Sequence, residues 1–292
     1  MKLEIDQNKV KLSNLNKILW PDLKITKGDM IDYYIQMYPF IKKYLHNRPL
    51  SLKIFPDGIN KASFYRKNCP DYAPEWLSTT PLPSGKNKVI NWITVNKLSD
   101  LVWIANHATI ELHGWFSTIK KPLKPDFAVF DLDPGNNTNF GELIETAQLI
   151  KMITDKLNIK SFLKTSGKRG LHIYIPINNK YSYKEVKYFL KKIAKIIIES
   201  RTDLATIEWR KENREGKLHI DYRQNGRGKT LPSPYSLRPT TNATVSTPIY
   251  WRELNKNLDL SSFNIINIKE RIQNYGDPWK DIFEHRQNLP SL

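Results

Sequence analysis

Short segments of this chain alternate between apolar and polar residues, and this period of two predicts strands. Residues 50–54 alternate in this way and turn at residues 56–58. The apolar run over residues 127–130 predicts a buried strand, which ends at Pro134 and Gly135. Further strands are predicted over residues 89–95, 161–164, 171–176 and 217–222.

Longer segments carry apolar residues at helical spacing behind capping residues. Thr26 and Asp29 form a capping box ahead of one such segment, and Pro39 is expected to interrupt or kink that helix. Ser182 and Glu185 form a second capping box, for a helix that ends near residue 199. The remaining predictions are helices over residues 140–157 and 268–275, a helical or mixed segment over residues 97–112, and a flexible loop over residues 77–88. Strands and helices intermix without a strict βαβ rhythm, which predicts an α+β protein with a mixed sheet.

Composition adds a polyanionic partner to this picture. The 292 residues include 46 Lys and Arg against 29 Asp and Glu, a net charge of +17, and several cations stand next to aromatic residues, as in residues 64–67 and 209–211. Cations bind phosphates and aromatic rings stack on bases, so nucleic acid is the expected partner. The single cysteine, Cys69, excludes an internal disulfide. No apolar run reaches about 18 residues and the first residues lack a signal-peptide pattern, so we expect a cytoplasmic protein without a membrane span.

Three carboxylates stand at predicted strand ends. Asp131 and Asp133 point to the same face of their strand, because successive side chains alternate. Asp221 ends a second strand on its polar face, beside Lys217 and His219. Two carboxylates separated by one residue are common by chance, but three that converge would suit a two-metal phosphoryl-transfer site.

A glycine-rich turn over residues 165–170 contains the groups that cradle a triphosphate: backbone N–H groups, the Ser166 hydroxyl, Lys168 and Arg169. It lacks the order of a Walker A loop. His172 follows at the start of the next strand. The alternative interpretation, a basic surface hairpin with a structural histidine, stays open on this pattern alone.

A basic segment follows the third carboxylate. Asn225 and Gly226 signal a turn, and Arg227, Lys229 and Arg238 come after it. A solvated loop is the more common fate of such charge runs, although the proximity to Asp221 favours a role at the site.

Together these motifs resemble the polymerase domain of bacterial and archaeal ligase D, which serves non-homologous end joining and belongs to the archaeo-eukaryotic primase superfamily. The resemblance covers nearly the whole chain. It rests on residues 131–135 (DLDPG), 164–167 (KTSG), 170–172 (GLH), 220–222 (IDY), 224–225 (QN), 229–230 (KT) and 234–236 (PYS), and on residues 16–21, 26–29, 48–50, 55–58 and 111–113.

The resemblance implies roles for individual residues. Two divalent ions, Mn²⁺ or Mg²⁺ with manganese favoured, would be bound by Asp131, Asp133 and Asp221. The incoming NTP or dNTP would be held by His113, Ser166, Arg169, His172, Arg214, Lys229 and Arg238. A DNA 5′-phosphate would be bound by Lys17 and Lys27, next to Lys53, and the template strand would stack on Phe64 and Tyr65. Arg169 stands where many relatives have Lys.

The resemblance further implies a single primase-polymerase domain over residues 1–292, with a mixed or antiparallel central sheet flanked by helices. Residues 1–95 or so would bind DNA ends and residues 96–292 would carry catalysis. The expected activity is nucleotide addition to DNA 3′ ends in gap filling and end extension, at the nucleoid, with Ku and a separate ATP-dependent DNA ligase as partners. Two alternatives stay open: a two-metal nuclease and a non-catalytic module that binds DNA ends.

Overall fold

The structure is a computed structural model that describes residues 1–85 and 87–291. Its strands are β1 (Lys2–Ile5), β2 (Asn8–Lys11), β3 (Ile18–Trp20), β4 (Ile25–Thr26), β5 (Leu50–Ile54), β6 (Phe64–Arg66), β7 (Thr79–Pro83), β8 (Val89–Ile93), β9 (Thr109–Trp115), β10 (Phe127–Asp133), β11 (Phe162–Thr165), β12 (Leu171–Pro176), β13 (Ala205–Thr206), β14 (Leu218–Asp221), β15 (Thr230–Pro232) and β16 (Pro248–Ile249). Its α-helices are α1 (Lys27–Leu45), α2 (Leu98–Asn106), α3 (Phe140–Lys156), α4 (Tyr183–Ser200) and α5 (Ile268–Tyr275).

The chain divides into two compact units. Unit 1 comprises Met1–Lys120, Thr230–Ser246 and Ser261–Tyr275, and unit 2 comprises Lys121–Lys229, Thr247–Leu260 and Gly276–Leu292. The predicted single domain, with parts at residues 1–95 and 96–292, stays a prediction. None of the helices in the described ranges has both the length and the apolar character needed to cross a bilayer.

Unit 1 is built on a four-stranded sheet in the order β15-β9-β5-β6. Helices α1 and α2 pack on each other and on β9. The capping box that opens α1 is confirmed, since Thr26 Oγ1 accepts a hydrogen bond from the Asp29 backbone N–H. Helix α1 runs through Pro39 to Leu45, so this residue does not interrupt the helix, and a kink there stays a prediction.

The predicted loop over residues 77–88 is wrong for residues 79–83, which form a strand. Thr79–Pro83 and Val89–Ile93 form an antiparallel hairpin, and Lys86 lies outside the described residues. Leu82, Ile90 and Trp92 are buried in one cluster with Trp115 of β9, where the two indole rings meet edge to face 5.0 Å apart. The proline-rich strand is tolerated because this two-stranded sheet does not require a donor from every residue.

Unit 2 contains a six-stranded sheet in the order β13-β14-β10-β12-β11-β16, antiparallel except for the β13–β14 pair. One face carries Phe130, Leu132, Leu171, Ile173 and Ile220, all fully buried. Helix α4 packs on β10 and α3 packs on β12, so the amphipathic helices supply the core of this layer. The capping box of Ser182 and Glu185 at the start of α4 is confirmed.

Candidate active site

The three predicted carboxylates meet on one face of the unit 2 sheet. Asp131 is paired with Asp221 on β14 and with His172 on β12, and Asp133 is paired with His219. Residues directly opposite each other in an antiparallel pair point to the same face, and so do residues two apart on one strand. The strand register therefore collects three acids and two histidines on the face opposite α3 and α4.

The carboxylate face is electrostatically strained. Asp133 is exposed at the end of β10, yet desolvation and the neighbouring charges of Asp131 and Asp221 raise the pKa of its carboxyl to about 7. The cations of Arg214 and Arg169 counteract only part of this shift. Like charges so close together favour a proton or a metal ion between them.

The other two acids are held more firmly. Asp131 is buried, with Oδ1 3.2 Å from His172 Nε2. Asp221 Oδ1 accepts a hydrogen bond of 2.6 Å from the Arg223 backbone N–H, and its Oδ2 accepts one of 3.1 Å from Gln224 Nε2. These contacts orient the carboxylates of Asp131 and Asp221.

His219 is a member of this face to which no role was assigned from the sequence. It is buried opposite Asp133, and burial together with the cations of Arg214 and Arg223 lowers its pKa to about 4, although Asp221 acts in the opposite direction. The imidazole is therefore neutral at pH 7. The sequence did carry a signal for His219, because it lies two residues before Asp221 on a strand and so points to the same face.

The predicted phosphate loop lies next to these acids because two glycines permit close packing. A Cβ at Gly170 would lie 2.3 Å from the Leu132 carbonyl oxygen, and one at Gly135 would lie 2.0 Å from the Gly216 carbonyl oxygen. The residue types in these two motifs are thus dictated by backbone contact between the loop, the end of β10 and the segment before β14.

Within this loop the Ser166 oxygen organises the backbone. Ser166 Oγ accepts hydrogen bonds of 3.1 Å from the backbone N–H groups of Lys168 and Gly170. The Arg169 guanidinium donates to the Pro134 carbonyl oxygen at 3.4 Å and remains exposed. The loop therefore presents Arg169 at the end of β10 where Asp133 lies.

Arg214 is the second cation that acts on Asp133. It ends a 3₁₀ turn over Lys211–Arg214, and its guanidinium donates to the carbonyl oxygens of Glu208 and Trp209 at 3.1 Å each. Lys229 is exposed, with its ammonium 5.2 Å from the centre of the Trp209 ring. The structure thus brings Asp131, Asp133, Asp221, Ser166, Arg169, His172 and Arg214 together in unit 2.

Asn225 has a structural role that the sequence showed only as a turn signal. Its side-chain amide exchanges two hydrogen bonds with the backbone of Val129, at 2.9 and 2.7 Å. Strand β14 has ended four residues earlier, so the Asn225 amide continues the ladder beside β10. This contact keeps the carboxylate-bearing end of β10 aligned with the chain that follows Asp221.

Unit 1 holds a second cluster of predicted residues, arranged around the buried Glu111. Glu111 Oε2 lies 2.6 Å from His113 Nε2 and 3.8 Å from Arg238 Nε, and Lys53 Nζ lies 3.8 Å from Oε1. Burial alone would raise the pKa of this carboxyl, but the hydrogen bond from His113 and the cations of Arg238 and Lys53 lower it to about 2. Glu111 was not predicted as a site residue; its position two residues before His113 on one strand face was the signal.

The predicted stacking residues border this cluster. Phe64 and Tyr65 lie on the edge strand β6 and are 45% and 54% exposed. The Tyr65 ring meets the His113 ring edge to face, with 5.8 Å between the ring centres. The Lys53 ammonium lies 5.4 Å from the centre of the Tyr65 ring. Exposed rings next to cations provide a platform on which a base can stack.

Lys17 and Lys27 are also brought together. The Lys27 backbone N–H donates to the Lys17 carbonyl oxygen at 2.7 Å, where α1 begins. Lys27 Nζ donates to the Asn106 carbonyl oxygen at 2.9 Å, and burial and Lys17 lower its pKa. Lys17 Nζ lies 2.5 Å from Asp57 Oδ1. Both ammonium groups thus have partners within the protein, and their binding of a phosphate stays a prediction.

Although three carboxylates share one face of the unit 2 sheet, no three acidic, His or Cys side chains among the described residues are arranged so that together they could hold a metal ion as they stand. The two metal ions therefore stay a prediction. The donor set nevertheless fits hard divalent cations, because carboxylate oxygens are the ligands that Mg²⁺ and Mn²⁺ prefer, and because the like charge that raises the pKa of Asp133 is what a cation would relieve.

Comparison with known proteins gives these features a family. Residues 26–279 match the family described as LigD, primase-polymerase domain. The bifunctional non-homologous end joining protein LigD of Bacillus subtilis is 33% identical over 283 residues, which is 97% of this chain and 45% of that protein. The multifunctional non-homologous end joining protein LigD of Mycolicibacterium smegmatis is 29% identical over 92% of this chain and 35% of its own length. The chain thus spans about a third to a half of these relatives.

A solved structure agrees with the sequence comparison. The polymerase domain from Mycobacterium tuberculosis ligase D, in complex with DNA, superposes with a TM-score of 0.88 at 28% identity, covering 95% of this chain and 99% of that one. The predicted α+β primase-polymerase fold is confirmed by this match.

Proposed function

Because this chain belongs to the family of LigD primase-polymerase domains, we propose that it is a nucleotidyltransferase that adds NTPs or dNTPs to DNA 3′ ends in non-homologous end joining. The observation that carries the proposal is the register that sets Asp131 beside Asp221, with Asp133 one pleat further and the phosphate loop alongside. Three carboxylates facing a polyanion would only repel it unless cations lie between them.

Each residue has a proposed task. Asp131, Asp133 and Asp221 would hold two divalent ions, and Mn²⁺ or Mg²⁺ when bound supplies activation of the 3′-hydroxyl and stabilisation of charge on the triphosphate. Arg169 and Arg214, whose cations act on the Asp133 carboxyl, would neutralise the phosphates of the nucleotide. His172 orients Asp131 through its 3.2 Å contact and can donate to a phosphate oxygen. Backbone N–H groups of the glycine turn add donors.

For unit 1 we propose nucleotide and DNA contacts. Glu111 holds His113 and Arg238 in place, and these two side chains would bind the nucleotide. Lys17 and Lys27 would bind a DNA 5′-phosphate, Lys53 would add to this basic surface, and Phe64 and Tyr65 would stack on the template. Lys229 keeps its proposed role toward the triphosphate. Partnership with Ku and a separate ATP-dependent ligase, in the cytoplasm at the nucleoid, completes the proposal.

The test is nucleotide addition by purified protein. A gapped, 5′-phosphorylated duplex is incubated with Mn²⁺ and either NTP or dNTP. We expect extension of the 3′ end by the wild type, and no extension by Asp131→Ala or Asp133→Ala, while both variants still bind the duplex. Extension by either variant at the wild-type rate would refute the roles of these acids.

The same reactions separate the two alternatives. A nuclease would degrade the DNA with metal alone, whereas a polymerase requires added nucleotide. A non-catalytic end-binding module would bind the duplex and leave it unchanged under every condition.

A further inference from the structure

Unit 2 contains a groove to which the proposed catalytic roles assign nothing beyond Lys229. It has a volume of about 790 Å³ and lies between the first half of α4 and the segments around Trp209 and after β14. The residues that give it its character are Lys184, Lys187, Tyr188, Lys191, Trp209 and Arg223.

The helical wall of the groove is a single stripe of α4. Lys184, Lys187, Tyr188 and Lys191 are spaced at i, i+3, i+4 and i+7, and all four are exposed. Such residues share one helix face, while the opposite face is buried in the core of unit 2. The three ammonium groups therefore point to the same side together with an exposed phenol ring.

The charge of the groove is strongly one-sided. With Arg223 and Lys229, five cations line it, against the single carboxylate of Glu185. That carboxylate is already engaged at the helix N-terminus, where it accepts hydrogen bonds of 2.6 Å from both the backbone N–H and the hydroxyl of Ser182. The lining therefore has complementarity to an extended polyanion.

Two large aromatic side chains in the groove are exposed as well. Tyr188 is 61% and Trp209 is 52% exposed. The Arg223 guanidinium lies 5.5 Å and the Lys229 ammonium 5.2 Å from the centre of the Trp209 ring. Aromatic rings stack on unpaired bases, and neighbouring cations bind the phosphates between those bases.

We propose that this groove binds single-stranded DNA, with bases stacked on Tyr188 and Trp209 and phosphates on the lysines of α4. A purely acidic peptide would use the cations and leave the rings exposed, whereas a single strand uses both. The choice of DNA rests on the proposed function. The groove adjoins the reaction centre along the chain, because the Arg223 backbone N–H donates to Asp221 Oδ1. Unpaired DNA held there would be the single-stranded part of an end being extended.

The test is binding of a fluorescent oligo(dT) of about eight nucleotides, followed by anisotropy without nucleotide or metal. Tyr188→Ala and Trp209→Ala are each expected to raise Kd roughly tenfold, whereas Tyr188→Phe and Trp209→Phe keep the stacking face and stay within about threefold of the wild type. Lys187→Ala combined with Lys191→Ala should reduce the slope of log K against log salt by roughly 1.4.

Matched controls remove comparable groups elsewhere. Lys195→Ala takes an exposed lysine from α4 outside the groove, and Tyr275→Ala removes a tyrosine that is 68% exposed in unit 1. Both should bind oligo(dT) as the wild type does. Wild-type affinity in the Tyr188→Ala and Trp209→Ala variants would overturn the proposal, as would an equal loss in the controls or tighter binding of oligo(rU) than of oligo(dT).

The outcome is independent of catalysis. If the protein fails to extend any DNA but the groove variants lose oligo(dT), the groove proposal stands and the proposed function fails. If the wild type extends a gapped duplex and the groove variants bind oligo(dT) normally, the proposed function stands and the groove proposal fails.

Discussion

Carboxylates occupy opposite environments in the two units of this protein. In unit 1, Glu111 is surrounded by His113, Arg238 and Lys53, and its pKa falls to about 2. In unit 2, Asp133 faces two further carboxylates, and its pKa rises to about 7. The charge of Glu111 is balanced by neighbouring side chains of the protein, whereas the charge around Asp133 is balanced only in part. A buried ion pair serves to position side chains, whereas uncompensated like charge indicates a site that something else completes.

The largest expected effect is on activity, and it comes from removing the charge of one of the three carboxylates in unit 2. Asp221→Asn keeps the size of the side chain and should reduce nucleotide addition on the order of a thousandfold, because a metal ligand worth several kcal/mol in the transition state is lost. Single-turnover extension of a gapped duplex measures it. A melting temperature at or above that of the wild type is expected alongside, since repulsion is relieved; activity within tenfold of the wild type would contradict the assignment.

The matching substitution in unit 1, Glu111→Gln, is expected mainly to lower the stability of the protein. Glu111→Gln is expected to cost roughly 3 kcal/mol at pH 7, because the folded carboxyl has a pKa near 2 against the usual 4.5. Since the folded-state pKa is lowered, this contribution is complete above pH 4.5 and is lost as the pH falls toward 2. The difference between wild type and variant should therefore shrink at pH 3.

Urea unfolding at pH 7 and pH 3 measures this difference. The exposed Glu199→Gln on α4 serves as the control and should behave as the wild type at both pH values. A difference between Glu111→Gln and wild type that is the same at both pH values would show that the charge of Glu111 is not what stabilises the cluster.

Added metal is expected to stabilise the protein by binding to the carboxylates of unit 2. Mn²⁺ at a hundred times its Kd is expected to stabilise the wild type by about 2.7 kcal/mol, and to leave Asp131→Asn nearly unchanged, because ligands that bind only the folded state stabilise it by mass action. Thermal melting with and without EDTA measures this effect. An equal upward shift in both proteins would place the metal outside the carboxylate face.

The smallest effect is expected from Asp133→Asn in the absence of metal. The folded-state pKa of Asp133 is raised, so the penalty of its charge is absent below about pH 4, grows as the pH rises and is complete above pH 7. The exposed position screens it, so a gain of only a few degrees in melting temperature is expected at pH 8, and less at pH 5. Calorimetry in EDTA at pH 8 and pH 5 measures the gain in melting temperature. An equal gain at both pH values would contradict the raised pKa of Asp133.

Much of the local structure was predictable because its signals are local. The capping boxes at Thr26 and Ser182 fix where α1 and α4 begin, and β12 and α5 have the predicted bounds. Strand β8 lies within the strand predicted over residues 89–95, but β7 was missed because the composition of residues 77–88 is typical of a loop. Leu82 of β7 is buried against Trp115, which is distant in sequence. Helix α1 continues through Pro39 because a single proline does not outweigh the burial of residues on both sides of it.

The sequence by itself determined which residues carry the chemistry: strand alternation alone puts Asp131 with Asp133, and Asp221 with His219, on one face each. It also determined the family, through motifs spread along nearly the whole chain. Only the tertiary structure decided how those faces combine. The pairing of β10 with β14 and β12, the close glycine contacts, the Asn225 amide and the Glu111 cluster all join residues far apart in sequence. Such contacts depend on register and packing, which no local propensity encodes, and the groove along α4 arises in the same way.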